Sequence, residues 1–160
     1  TSVLVASGIV YLLQPYFNNR IKRAVKTPKM YFLDTGLAAY LTRWNTPQSL
    51  EAGAMSGAFF ETFVISEIIK SYFNAGISDP PLYYYRDKEG REIDLIIEKD
   101  GGLYPLEIKK TSNPSFADVK NFDVLKSAGL AERRNGGIIC TYEKTAVINR
   151  LDNIIPVSAV

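Results

Sequence analysis

The 160-residue sequence contains no histidine and only one cysteine, and both shortages narrow its chemistry. Without histidine, Ser-His triads and imidazole-zinc sites are excluded. A single cysteine excludes an internal disulfide framework and a thiolate zinc cluster. We interpret Cys140, in the run GGIICTYE, as a buried and reduced thiol of a cytoplasmic protein. Any reaction must therefore rely on carboxylates, lysines and hard metal ions.

Two further absences limit the function classes. Neither GxxxxGK[ST] nor GxGxxG occurs, so this stretch holds no nucleotide cradle. No apolar run reaches the roughly 18 residues of a membrane span, which predicts that no membrane is a partner. The composition, 46% hydrophobic and 22% charged, is typical of a globular domain. Since the chain opens TSVLVASGIV, without methionine or a signal-peptide pattern, we expect a piece of a longer protein.

Basic residues are concentrated in one stretch, although the net charge is only +2. Between Asn18 and Tyr31 there is no acidic residue but five basic ones: Arg20, Lys22, Arg23, Lys26 and Lys29. Such a stretch attracts phosphates in some proteins and is a solvated loop in others, and both interpretations stay open. The runs on either side, SGIVYLLQPYF and PKMYFLDTGLAAYL, predict a strand before it and a strand leading into a short helix after it.

The remaining chain predicts a linker and then an α/β domain. The linker is the turn-rich stretch 42–57, and a helix follows in GAFFETFVISEIIKSYF, ending near Gly76. Three strands come next, and then a helix in NPSFADVKNFDVLKSAGL, with Asn113 or Ser115 as N-cap and Gly129 as its stop. The run GGIICTYE predicts a buried strand, and the C-terminal tail offers another.

The stretch REIDLIIEKDGGLYPLEIKK, residues 91–110, has the pattern of a β-hairpin with unexpected acids. Asp100-Gly101 predicts a two-residue type I′ turn. In that register Lys99 pairs with Gly102, and counting outward along both strands places Asp94 directly opposite Glu107. Opposed like charges are destabilising, so either a divalent cation with oxygen ligands or a shared proton would relieve them.

Four further residues complete the pattern. Lys109 lies on the same strand face as Glu107, and a cross-strand ion pair with Glu92 is the alternative to a role at a site. Glu61 sits in the apolar stripe of the first long helix, where it either faces the sheet or lies at the edge of the stripe. Arg86 and Arg91 flank the turn before the hairpin, as solvated residues or as phosphate contacts.

A helix glutamate, an aspartate on the second strand and Glu-x-Lys on the third, in α-β-β-β-α-β order, resemble the PD-(D/E)XK nuclease superfamily. More of the chain, in PKMYFLDTGLAAYL, GAFFETFVISEI, YYYRDKEGREIDLIIE and LYPLEIKKT, resembles the C-terminal region of a large group of prokaryotic AAA-type ATPases. Pro105 departs from the nuclease pattern, because proline is tolerated mainly at an edge strand or bulge.

The resemblance implies a restriction-endonuclease-like core, a mixed sheet flanked by helices, over residues 46–160. It implies a winged-helix-like piece with a basic hairpin over residues 1–45, and an ATP-binding module upstream. The implied chemistry is hydrolysis of DNA with Mg²⁺ or Mn²⁺. Asp94, Glu107, the Ile108 carbonyl and Glu61 would hold metal, and Lys109 would complete the catalytic set. One alternative is a catalytically silent fold that binds nucleic acid or protein. Another is a scaffold in which the acids and the lysine form structural ion pairs. An oligomer is possible in each case.

Overall fold

The protein is described from a computed structural model that covers residues 2–16, 27–44, 46–127 and 131–160. The chain divides into two compact units. The first comprises residues 1–12, 30–80 and 160, and the second comprises residues 13–29 and 81–159. No helix among the described residues is long and apolar enough to cross a bilayer.

The first unit is mainly helical. Its elements are α1 (Ser2–Ala6), the start of β1 (Val10–Pro15), most of β2 (Lys29–Phe32), α2 (Thr35–Leu41), α3 (Pro47–Ala52) and α4 (Ser56–Asn74). The long helix α4 confirms the helix expected from the apolar stripe, and it buries Val64, Ile65 and Ile69. Just beyond its end, Gly76 has a φ of 80°, which glycine adopts without strain.

Helix α3 lies where the sequence predicted a linker, so that part of the interpretation was wrong. The Thr46 side chain accepts the backbone N–H of Ser49, and the Ser49 hydroxyl accepts the backbone N–H of Thr46. Pro47 occupies the first turn, where its missing N–H costs nothing. This capping box starts a short helix in a stretch that otherwise has turn-like composition.

The second unit contains most of the strands. They are β3 (Leu82–Arg86), β4 (Glu92–Lys99), β5 (Gly102–Lys109), β6 (Glu132–Arg133), β7 (Gly136–Cys140), β8 (Ala146–Val147) and β9 (Asp152–Pro156). Across the described residues nine strands form one mixed sheet in the order β2-β1-β3-β4-β5-β7-β9-β8, with β6 also pairing with β5. Strands β5, β7 and β9 run parallel, whereas β3, β4 and β5 form an antiparallel meander. A mixed α/β fold is therefore confirmed.

The predicted second helix is present but interrupted. It consists of α5 (Phe116–Val119), a 3₁₀ turn (Lys120–Asp123) and α6 (Val124–Ser127), and Ser115 is the N-cap. Its apolar residues pack in one core with Ile96, Leu103 and Ile138 of the sheet and with Cys140, whose predicted burial is confirmed. The predicted stop at Gly129 lies outside the described residues. This helical segment thus packs against one face of the sheet, over the hairpin strands β4 and β5 and over β7.

Pro105 lies in a central strand rather than at an edge, and the pairing of β5 explains how it fits. Gly102 and Leu103 of β5 pair with β6, whereas pairing with β7 begins at Leu106. Pro105 therefore lies between the part of β5 that pairs with β6 and the part that pairs with β7, so its missing N–H interrupts neither pairing. A Cβ on Gly136 of β7 would lie 2.6 Å from the Pro105 carbonyl oxygen, so the close approach requires glycine.

Candidate functional site

The hairpin has the register that the sequence predicts. Lys99 pairs with Gly102, and the pairing continues in step to Leu95 opposite Leu106. Asp100 and Gly101 both have positive φ, at 50° and 70°, as a type I′ turn requires. Continued by one position, this register places Asp94 opposite Glu107 at the open end of the hairpin, and the charge of Asp94 does act on Glu107.

A bulge on the other side of β4 acts at the same position. Tyr83 of β3 pairs with Ile96, but Tyr85 pairs with Ile93, so the register shifts between them. Tyr84 alone therefore opposes two residues of β4, Asp94 and Leu95. Bulges bend a strand and redirect side chains, and they are common next to functional sites. The shift also explains why Ile93 and Ile96, three positions apart, belong to the same core.

Asp94 is fixed by the neighbouring strand. Its Oδ2 accepts the backbone N–H of Ile108 at 2.9 Å, and the residue is only 9% exposed. Its Oδ1 lies 3.9 Å from the Nζ atom of Lys29. The carboxylate is therefore held against β5 immediately beside Glu107 and is approached by a lysine from β2.

Glu107 is the unusual member of the pair. Burial raises its pKa to about 8, and the charge on Asp94 contributes in the same direction. Its Oε2 atom is buried, and no residue that the structure describes offers it a hydrogen bond. A buried carboxylate oxygen without a partner is rare in folded proteins and calls for a proton or a cation.

Lys109 carries charge that acts on both Glu107 and Asp94, and its amino group pairs with Asp118 of α5. This hydrogen bond raises the pKa of Lys109. Burial by itself would raise the pKa of Asp118, but the hydrogen bonds from Lys109 and Ser115 outweigh it and lower that pKa. The alternative prediction, an ion pair between Lys109 and Glu92, is wrong because each residue has a different partner.

Glu92 instead joins two cations from other strands. It pairs with Lys29, and its Oε2 accepts both Nε and Nη2 of Arg86 at 2.8 and 2.6 Å. Burial would raise the pKa of Glu92, but the hydrogen bonds from Lys29 and Arg86 lower it. The Lys29 amino group also lies 5.3 Å from the ring centre of Tyr84. Lys29 of β2 and Arg86 of β3 thus form a basic rim around Glu92, and Lys29 also approaches Asp94 of the acid pair.

The other predicted site residues lie in several places. In the first unit, Glu61 of α4 is half-buried and accepts the Tyr31 hydroxyl at 2.5 Å, and its predicted role stays a prediction. Arg91 donates to Asp87 at 2.7 Å and pairs with Glu89. The Ile108 carbonyl also stays a prediction as a metal ligand. Four members of the basic stretch lie outside the described residues: Arg20, Lys22, Arg23 and Lys26.

Sequence reasoning missed Asp118 and the bulge. A signal for Asp118 was present, because Ser115 and Asp118 have the three-residue spacing of a capping box. Within the described residues, no group of three or more histidine, cysteine or acidic side chains is arranged to hold a metal ion. What the hairpin brings together is two carboxylates and one lysine, with Asp118 behind the lysine.

Comparisons with known proteins give the family but no activity. A family model described as "Domain of unknown function (DUF8612)" matches residues 1–48. Two curated relatives, "Uncharacterized protein Rv2008c" of Mycobacterium tuberculosis and "Uncharacterized protein Mb2031c" of Mycobacterium bovis, are each 38% identical over 109 residues. That match covers 68% of this chain but 24% of each relative, so the chain spans about a quarter of their length. No solved structure matches the chain.

A model described as "Domain of unknown function (DUF4143)" matches residues 56–160, which include α4 and the whole hairpin. Because that match extends over well more than half of the chain, the protein belongs to the DUF4143 family.

Proposed function

We propose that the hairpin holds a divalent metal ion, Mg²⁺ or Mn²⁺, and that the domain has a restriction-endonuclease-like core that hydrolyses phosphodiester bonds of DNA. The observation that carries the proposal is Glu107, a half-buried residue beside Asp94 whose Oε2 atom is buried and has no hydrogen-bond partner among the described residues. Ionising it next to another acid is unfavourable without a cation, whereas a divalent ion would favour both charged carboxylates.

The residues fit such an ion in type and in charge. Magnesium and manganese prefer oxygen ligands, and proteins commonly hold magnesium through one or two carboxylates together with substrate phosphate. Asp94 and Glu107 would supply these, with the Ile108 carbonyl as a further candidate, whereas the metal role predicted for Glu61, a residue of the first unit, stays a prediction. When bound, the ion would supply positive charge that polarises a phosphodiester.

Lys109 gives the site an organic cation for the same substrate. Its side chain is 54% exposed and its charge acts on both Glu107 and Asp94, so a phosphate bound at the acid pair could reach the ammonium group. There the ammonium would stabilise negative charge that develops on the phosphate. Lys29 and Arg86 are suited to hold neighbouring backbone phosphates, because both already lie on the rim beside Asp94 and Glu92.

We further propose that this domain is the C-terminal part of a longer AAA-type ATPase that works on DNA in the cytoplasm, with ATP bound upstream. The share of the mycobacterial relatives that the match covers, 24%, is compatible with a large additional module. The predicted division into a winged-helix-like piece over residues 1–45 and a nuclease-like domain over 46–160 belongs to this proposal.

A catalytically silent binding module is the second candidate, and one observation favours it. Lys109 is paired with Asp118 and Lys29 lies near Asp94, so cations of the protein itself already balance much of the acidic charge. In that case the fold would bind nucleic acid or protein without turnover.

The first experiment is a titration of thermal stability with Mn²⁺. A cation that binds only the folded state must raise its melting temperature. We expect a rise in the wild type that is lost in Asp94→Asn and Glu107→Gln but kept in Asp123→Asn, which changes an exposed acid of the same unit. An equal rise in all four proteins would refute the metal site.

The second experiment separates the two candidates. Single-stranded, duplex and branched DNA are incubated with the wild type and with Glu107→Gln in Mn²⁺. Cleavage by the wild type alone supports the nuclease. A Mn²⁺-dependent rise in stability together with DNA binding but no cleavage supports the silent module.

A further inference from the structure

Asp118 makes separate bonds with its two carboxylate oxygens. Its Oδ2 accepts the backbone N–H of Ser115 at 2.7 Å and the Ser115 hydroxyl at 3.0 Å. Its Oδ1 accepts the ammonium group of Lys109. The Asp118 side chain is 10% exposed and that of Lys109 is 54% exposed, so the aspartate is the sheltered partner of the pair. One oxygen thus anchors the aspartate to its own helix, and the other is committed to the lysine.

The anchor is attached to the core of the second unit. The residue after Asp118, Val119, is buried and packs in the same cluster as Phe122 and Ile138. The capping box and this packing restrict the rotamers of Asp118. Lysine, in contrast, is a flexible four-carbon chain that loses up to about 2 kcal/mol of side-chain entropy when it is fixed. The ion pair with Asp118 therefore favours one position of the Lys109 ammonium group.

We propose that Asp118 is a positioning residue that holds Lys109 beside the Asp94–Glu107 pair, ready to meet a phosphate group bound there. This inference rests on the proposed metal-dependent cleavage. It adds a residue that lies outside the set of Asp94, Glu107 and Lys109. Asp118 acts through Lys109 and needs no contact with the substrate.

Two substitutions at Asp118 separate charge from shape. Asp118→Asn keeps the size of the side chain and an oxygen acceptor for Ser115 but removes the negative charge. Asp118→Glu keeps the charge and creates a Ser-x-x-Glu capping box, which is the preferred form of this motif. Asp123→Asn is the matched control, since that exposed acid belongs to the adjoining 3₁₀ turn and pairs with Lys126.

Cleavage of a duplex DNA in Mn²⁺ is then measured as kcat and KM. We expect Asp118→Asn to lower kcat by about 10- to 100-fold, the range for a misplaced catalytic group, with KM almost unchanged. Asp118→Glu should restore most of kcat, and Asp123→Asn should equal the wild type. The rise in melting temperature with Mn²⁺ should be the same in all of them, because the metal ligands are intact.

A double variant tests whether Asp118 acts through the lysine. Lys109→Gln should lower kcat at least as much as Asp118→Asn, and adding Asp118→Asn to Lys109→Gln should lower it no further. Independent, multiplying losses would overturn the proposal, as would loss of the Mn²⁺ effect in Asp118→Asn.

Failure of the proposed function gives a different pattern. If the wild type neither cleaves DNA nor is stabilised by Mn²⁺, both proposals fall. If the wild type cleaves and Asp118→Asn cleaves equally fast, the nuclease stands and the role of Asp118 is refuted.

Discussion

Replacing Glu107 with glutamine tests the argument from the buried acid without DNA or metal. Glutamine has nearly the same shape but cannot ionise, so the variant removes one titration and leaves the hairpin in place. In the wild type, burial raises the Glu107 pKa from 4.5 to about 8, so the folded state binds its proton more tightly than the unfolded chain. The contribution of Glu107 to the free energy of unfolding is therefore fully present below about pH 4.5 and is lost as the pH rises to about 8.

The size of the effect follows from the two pKa values. A difference from 4.5 to about 8 corresponds to roughly 4–5 kcal/mol in total, at about 1.4 kcal/mol for each pH unit. Most of it, about 4 kcal/mol, falls between about pH 5 and pH 9. That is a large part of the roughly 5–15 kcal/mol by which a typical domain is stable, so about a quarter or more of the stability depends on this residue.

The assay is urea unfolding at a series of pH values, with a chelator to remove metal. The free energy of unfolding of the wild type should fall between about pH 5 and pH 9, and that of Glu107→Gln should fall by about 4 kcal/mol less. Asp123→Asn, an exposed acid, should follow the wild type. Parallel curves for the wild type and Glu107→Gln would show that Glu107 ionises freely, and the reason for placing a cation there would be gone.

Two further substitutions test the packing around the hairpin. Gly136→Ala should destabilise the protein by about 1–3 kcal/mol in urea unfolding, because the new Cβ would lie 2.6 Å from the Pro105 carbonyl oxygen. Gly57→Ala is the control: this position on α4 has open space around it, so the substitution should be neutral or stabilising. Arg133→Met should lower the free energy of unfolding by about 3–5 kcal/mol in the same assay, because it removes the ion-pair partner of Asp152, whose side chain is only 4% exposed. A change below about 1 kcal/mol would mean that the remaining hydrogen bonds are enough to stabilise the Asp152 carboxylate.

Local rules predicted the parts of the fold that depend on a few adjacent residues. The Asp100-Gly101 turn determines the hairpin register, because each strand alternates its side chains and the turn allows one pairing. The apolar stripe predicted α4 nearly to its ends for a similar reason. Helix α3 escaped because its start depends on a reciprocal cap at Thr46, and composition over the whole stretch concealed that signal.

The partners of the charged residues could not be read from register alone. The hairpin pattern offered Lys109 the opposite residue Glu92, but helix α5 brings Asp118 to Lys109, and strands β2 and β3 bring Lys29 and Arg86 to Glu92. These contacts join elements far apart in the chain. A choice between such partners depends on three-dimensional packing and on the desolvation of each charge, and sequence spacing contains neither.

The bulge shows why the acids were recognisable and their environment was not. Alternation from the turn places Asp94 opposite Glu107 whatever happens on the other edge of β4. The extra residue at Asp94 and Leu95 arises from the pairing with β3, and it lets Ile93 join the core while Asp94 stays at the hairpin's open end. The same strand thus satisfies the core through one neighbour and the acid pair through the other. A strand with regular pairing on both sides would have to give up one of the two, so the bulge is where the requirements of folding and of the proposed site are reconciled.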